Sequence, residues 1–246
     1  MKIATNAIVD EQRSLFNDRE IIILATGFDF SNTNDKIGKS VLQLWVFPKN
    51  TAPHLAVKTG DDVAVCGNCP LRPSKGNICY VIIGFAPKGM YESFEKGNYS
   101  VLTQDQIEWV RDRQMILRLT AYGDIAAIDI NSPNIKALRD AAKETLAYTH
   151  SWNVRPELKG KAMASVETVA GALKAQAKGW KTFRVKAKDE PLLSNEVLCP
   201  YEVNPLVQCE DCCLCTGNKC NVAVSAHGSS GKAKRHQELF ANTSNY

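Results

Sequence analysis

The sequence contains no apolar run approaching the roughly 18 residues needed to cross a bilayer; its longest candidates, residues 21–26 and 42–47, are far shorter. An integral membrane protein is therefore not expected. Nor does one sign of charge dominate. Thirty Lys+Arg against 26 Asp+Glu give a net charge of +4, too near neutrality for nucleic acid to be gripped by global charge alone. The opening MKIATNAIVDEQRSLF lacks the continuous apolar core and small-residue cleavage site of an export signal, which points to a reducing cytosol, the compartment of synthesis. Internal repeats, heptads and low-complexity tracts are also missing, which disfavours a solenoid. With 246 residues, 44% hydrophobic and 23% charged, the composition is that of an ordinary globular protein.

What the chain does have is cysteine, nine in all and in two groups. A reducing cytosol keeps exposed pairs reduced, and an odd count defeats a complete disulfide framework. Metal or cluster ligation becomes the leading expectation. Cys199, Cys209, Cys212 and Cys215 read C-x9-C-x2-C-x2-C, four thiols close enough to surround one tetrahedral metal or the corners of a cubane. Cys213 and Cys220 are near enough to replace a member. Cys66, Cys69 and Cys79 supply only three thiols, and an open fourth position is what a catalytic metal or a three-thiolate cubane keeps. A structural zinc would instead recruit His54 or a thiol of the other group. Ligand softness and count favour iron–sulfur, with zinc staples as the alternative.

Strand-like runs are expected at residues 20–27, 40–47, 79–85 (CYVIIGF), 115–121, 161–165, 182–185, 196–199 and 221–226. Helices are expected at 89–96, 132–146 and 165–178, and from about residue 230. Ser132-Pro133 offers an N-cap with Pro at the first helical position, Ser165 a second cap, and Gly179 a C-terminal stop. The strand–helix alternation from residue 115 onward implies parallel strands in an α/β layer or barrel.

Tyr122-Gly123-Asp124 ends one such strand, where a parallel architecture presents ligand-contacting groups; a turn in which Asp124 bonds its own backbone is the bland alternative. Tyr148-Thr149-His150-Ser151-Trp152 gathers phenol, hydroxyl, imidazole and indole in five residues, which suits ligand recognition or a well-bonded core. His227, after the strand NVAVSA, is placed like Asp124. Residues 155–188 carry nine Lys/Arg against two Glu, either a phosphate-facing patch or a solvated helix face.

The ordered series CGNCPLRP, ICYV, APKGMYESFEKGNY, LRLTAYGD, YTHSW, MASVET, GWKTFRV, CEDCCLC and SAHG, covering about residues 65–228, resembles a family of phage-encoded cysteine-rich proteins of unassigned activity. It is also similar to the phage gene product eighty-eight family and, more distantly, to radical S-adenosylmethionine iron–sulfur proteins. The resemblance implies a single domain (1–246) of α/β class: N-terminal strands in 1–64, an incomplete TIM-barrel-like parallel barrel in 65–228 with cysteine-rich cluster-binding insertions, and a tail at 229–246. It implies [4Fe-4S] clusters and S-adenosylmethionine as cofactors, with Cys66, Cys69 and Cys79 on a reactive cluster and Cys199, Cys209, Cys212 and Cys215 on a second. Asp124, His150 and His227 would be catalytic, and Tyr122, Gly123, Tyr148, Thr149 and Trp152 would contact cofactor or substrate. The expected protein is a radical or reductive modifying enzyme in the cytoplasm of a bacterial host. The competing expectation is a zinc-stapled, non-enzymatic nucleic-acid-binding or adaptor protein using residues 155–188 and Lys232, Lys234 and Arg235.

Overall fold

Five consecutive residues, Ile21 to Ala25, are fully buried, the mark of a strand covered on both faces. In the computed structural model, which describes residues 3–228 and 230–240, they form the middle of the second strand of a five-stranded sheet. That sheet has the order β1-β2-β3-β4-β5: β1 Asn6–Arg13, β2 Glu20–Thr26, β3 Val41–Pro48, β4 Ile116–Tyr122 and β5 Glu144–Leu146. β1, β2 and β3 pair antiparallel, whereas β3–β4 and β4–β5 are parallel. The sheet belongs to a first compact unit, Met1–Gly67 with Val81–Leu146.

Two amphipathic helices of this unit show how sequence sets local structure. Gln104–Asp112 starts at a capping box, in which Thr103 Oγ1 accepts from Gln106 N at 3.3 Å and Gln106 Oε1 accepts from Thr103 N at 3.0 Å. Pro133–Ala141 opens with Pro133 and buries Ile135, Leu138 and Ala141 on one stripe.

A second unit, Asn68–Tyr80 with Ala147–Tyr246, contains a sheet in the order β6-β7-β8-β10-β9. Its strands are β6 Tyr148–Thr149, β7 Met163–Val166, β8 Thr182–Lys186, β9 Glu196–Leu198 and β10 Asn221–Ser225. All four pairings are parallel. The helix Val169–Ala177 links β7 to β8, capped by Thr168 accepting from Gly171 N at 3.0 Å, and it ends before Gly179 (φ +79°). Parallel strands and connecting helices are thus present. The described strands form two open sheets, however, and close into no barrel.

Four local expectations change. Residues 79–85 form no strand; Ile82 and Phe85 are exposed. The helix expected over 132–146 stops at Ala141, because residues 144–146 pair with β4. Ser165 lies inside β7, and the cap passes to Thr168. The basic stretch 155–188 loses two charges to the interior, since Arg184 and Lys186 are buried. Among the described residues no helix is long and apolar enough to cross a membrane.

Arg184 is held by Glu196 through two bonds (Nε–Oε1 2.8 Å, Nη2–Oε2 2.6 Å), by Glu190 at 2.5 Å, and by the carbonyl of Pro191 at 3.0 Å. The Arg184 and Glu196 side chains are both fully buried. Removing one member strands a desolvated charge, which typically costs about 3–5 kcal/mol, whereas replacing both by apolar groups is often near neutral. Urea unfolding is therefore expected to show a loss of about that size for Glu196→Ala. A much smaller loss is expected for Arg184→Met combined with Glu196→Leu.

Candidate functional site

Registered residues on parallel neighbours point to the same face of a sheet. Ser165, Phe183, Val222 and Val197 therefore share one face of the second sheet, and Cys199 follows Val197 in the same alternation. Tyr148 joins them, its ring edge-on to Phe183 at 4.8 Å between centroids. The opposite face carries Thr182, Arg184 and Glu196, and the helix Val169–Ala177 reaches it through Gln176 Nε2 on Thr182 Oγ1 at 3.1 Å.

The cysteine-rich segment meets the Tyr148 face. Cys199 caps the short helix Pro200–Val203, and its N–H donates to Ala223 O at 2.8 Å, fixing it beside β10. Cys209 and Cys212 begin and end the one-turn helix Cys209–Cys212. Cys213 then takes a left-handed conformation (φ +46°), which turns the chain so that Cys215 O accepts from Ala147 N at 3.4 Å.

The Cys215 thiol lies in the field of Cys209, Cys199 and Cys212, and Tyr148 acts on it in the opposite sense. Burial, reinforced by those three sulfurs, pushes it up to about 12. Burial also raises Cys212, with Cys199 and Cys220 adding to the effect. The four thiols singled out by spacing thus lie within reach of one another's charge, with Cys220 alongside. Among the described residues no three His, Cys, Asp or Glu side chains converge closely enough to hold one ion. The donor set is soft and suits zinc or an iron–sulfur cluster, while the side chains stand as an open array.

At the carboxyl ends of β6 and β7 a different group forms. His150 follows β6 and Glu167 follows β7, with His150 Nε2 2.6 Å from Glu167 Oε1. Burial opposes charging of His150, but Glu167 and Cys69 outweigh it and hold its pKa well above the usual imidazole value. Tyr80 stacks on His227 at 4.8 Å and lies in the field of Glu167 and Cys79; burial raises its phenol. His227 Nδ1 bonds Ser225 O at 3.0 Å. No family model, curated protein or solved structure matches the chain. The site is therefore read from its own geometry.

The other expected residues have more local roles. Thr149 Oγ1 accepts from Ser151 N at 2.9 Å in a turn, and Trp152 lies beneath Lys178, whose Nζ is 5.8 Å from the ring. Tyr122, Gly123, Asp124 and Cys66 belong to the first unit. Tyr122 packs against Phe47 at 5.4 Å, and Gly123 adopts φ +93° where a Cβ would come within 3.3 Å of Val65 O. Asp124 Oδ1 accepts from Ala126 N at 2.9 Å and its N–H donates to Val65 O at 2.7 Å. The structure thus gives the Gly-Asp pair the turn-and-cap geometry. Also in this unit, a cleft of about 350 Å³ is lined by Arg13, Asp18, Arg19 and Asp61, which form the ion pairs Arg13–Asp18 and Arg19–Asp61.

Sequence reasoning missed Glu167, Tyr80 and His236. Glu167 carried a usable signal, an acidic residue at the carboxyl end of a parallel strand. Tyr80 and His236 carried none, because their burial is set by the loop Asn68–Tyr80 and the helix Ser230–Phe240.

A thiol whose folded-state pKa is raised contributes stability in full below its unfolded value and loses it as pH climbs through the folded one. For Cys215 that window runs from 9.0 to about 12. The metal-free protein is expected to lose about 1.4 kcal/mol per pH unit within it from this group. Chemical denaturation at pH 8, 9 and 10 measures the slope, which should flatten in Cys215→Ser. Asp124→Ala is expected to cost about 1 kcal/mol through its lost cap, read as a lowered melting temperature.

Proposed function

We propose that this chain is a metalloprotein whose second unit binds a thiolate-ligated centre, an iron–sulfur cluster or zinc, through Cys199, Cys209, Cys212 and Cys215. One observation supports the reading: Cys215 lies in the field of Cys209, Cys199 and Cys212, on a segment that runs from the end of β9 through a one-turn helix and a left-handed reversal. Nearby thiols disfavour one another's ionisation, and a cation reverses that preference by ionising all of them. Cys213 is the αL residue of the reversal, and Cys220 stands close enough to Cys212 to influence it; both act beside the four.

The centre would tie the segment 199–220 to the sheet, which the short strands cannot do through backbone pairing alone. Its identity follows from the metal found. Iron with equimolar sulfide means a cluster suited to electron transfer, and zinc without sulfide means a staple.

Iron, zinc and acid-labile sulfide measured on protein purified without air test the reading. The expected result is one centre per chain, lost in Cys209→Ser and in Cys215→Ser. Retention should fall on acidification by more than ~10-fold in affinity per pH unit, because more than one thiol regains its proton. Air-free protein with no bound metal, and with unchanged stability when all four cysteines are serine, overturns it.

A further inference from the structure

The nine Lys/Arg of residues 155–188 do not stay together in the fold. Arg184 and Lys186 are buried, Arg155 is engaged by Glu157, and Lys188 lies beyond the carboxyl end of β8. The remaining five, Lys159, Lys161, Lys174, Lys178 and Lys181, belong to the opposite end of the second sheet. Parallel pairing is the reason. The helix Val169–Ala177 returns the chain from the carboxyl end of β7 to the amino end of β8, so its last turn and the residues just before each strand reach one rim. Lys174 stands in that last turn and Lys178 ends the helix. Lys161 comes two residues before β7, and Lys181 immediately before β8. Lys219, outside the basic stretch, comes two residues before β10 and joins them.

Short contacts fix this rim. Lys159 Nζ donates to Lys178 O at 3.3 Å, and a Cβ on Gly179 would stand 3.6 Å from the same Nζ. Lys159 also makes an isolated bridge to Ala162, and Gly217 lies so close to Ala162 that a Cβ would meet its N at 2.7 Å. Thr182 N donates to Asn221 Oδ1 at 3.1 Å, which holds the amino ends of β8 and β10 side by side. Neighbouring strands are about 4.8 Å apart, so the lysines form a row. Lys181 is half-buried and the other five are exposed. Among the described residues, none of the five from the basic stretch forms an ion pair with a carboxylate. Like charges in a row repel one another. A linear polyanion relieves that repulsion along its whole length, where one small anion reaches only part of it.

An aromatic ring adjoins the row. Lys178 Nζ lies 5.8 Å from the centre of the Trp152 ring and bonds Asn153 Oδ1. The ring is half-buried beneath the lysine, unlike an anchor that projects into a membrane surface. A phosphate that draws the Lys178 ammonium toward itself uncovers the ring, and a base can then stack on it.

We infer that the amino-terminal rim of the second sheet binds single-stranded nucleic acid, the six lysines meeting successive phosphates and Trp152 stacking on one base. Lysines meet phosphates as point charges, so the surface reads the backbone and not the base sequence. It uses none of the four cysteines of the proposed metal centre, and the two readings stand or fall separately.

The test uses the full chain and a fluorescein-labelled oligothymidylate of about 16 nucleotides, the upper end of such sites, followed by anisotropy. Affinity is expected to fall with salt on a log–log slope of about −3 to −4, ~0.7 for each of five or six phosphates. Lys159→Glu combined with Lys178→Glu should weaken binding at least ~10-fold and flatten the slope by about 1.4. Lys161→Glu should act in the same direction, and Lys188→Glu, at the far end of β8, should leave binding unchanged. Trp152→Leu should weaken binding ~5-fold or more without changing the slope. Circular dichroism matching the parent chain shows that each variant is folded. No saturable binding at about 50 mM salt, binding indifferent to the double charge reversal, or equal weakening by Lys188→Glu overturns the inference. So does displacement of the oligonucleotide by inorganic phosphate at equal phosphate concentration, which would make the rim a small-anion site. Tighter binding to phosphatidylserine vesicles than to the oligonucleotide, with the same dependence on these lysines, also overturns it and makes the partner a membrane surface.

Discussion

Parallel pairing is the constraint on which the second unit depends. When neighbouring strands run the same way, their carboxyl ends lie along one edge, and whatever follows each strand is delivered there. His150 follows β6, Glu167 follows β7, Cys199 follows β9, and His227 comes two residues after β10. Antiparallel pairing would alternate these positions between opposite edges. The strands are also short, two to five residues, so their ladder bonds alone fix little. The connecting segments have to be secured by side chains, which explains why polar groups such as Thr149, Glu167, Arg184 and Glu196 are buried in this unit.

Those groups are secured in different ways. Arg184 resides in the interior because two carboxylates and a carbonyl replace its water. For the cysteines the compensation from protein cations is partial. Lys219 and Lys181 counter the rise at Cys212 and Cys220, yet both thiols remain above their ordinary value. Ionised, these sulfurs repel one another. Under the proposed reading a metal would remove that conflict, because it binds thiolates and takes their charge.

Much of this was legible in the sequence. The alternation from residue 115 onward became strand and helix. The failures have physical causes. CYVIIGF has the composition of a strand, but its residues find no strand to pair with, and composition cannot report a missing partner. Ser165 and Thr168 are equally good caps in isolation; tertiary pairing of β7 claimed the first. The basic run 155–188 looked like a surface because Glu190 and Glu196, which draw Arg184 inside, lie beyond it in sequence. Asp124 and Glu167 read alike, each an acid at a strand end. One caps its own turn and the other meets an imidazole 17 residues away, a difference that resides in the neighbouring strand.

That imidazole makes Glu167 hard to explain as a stabilising element. A buried ion pair gives little net stability compared with apolar residues of the same volume, because both members are desolvated. His236 and Tyr80, unpartnered and in the field of the same carboxylate, each carry a desolvation cost of roughly 1–3 kcal/mol. A sequence shaped for stability alone would fill this volume with apolar side chains. Local breaches of the rules of packing tend to collect where a structure does chemistry, and here several lie in the field of Glu167.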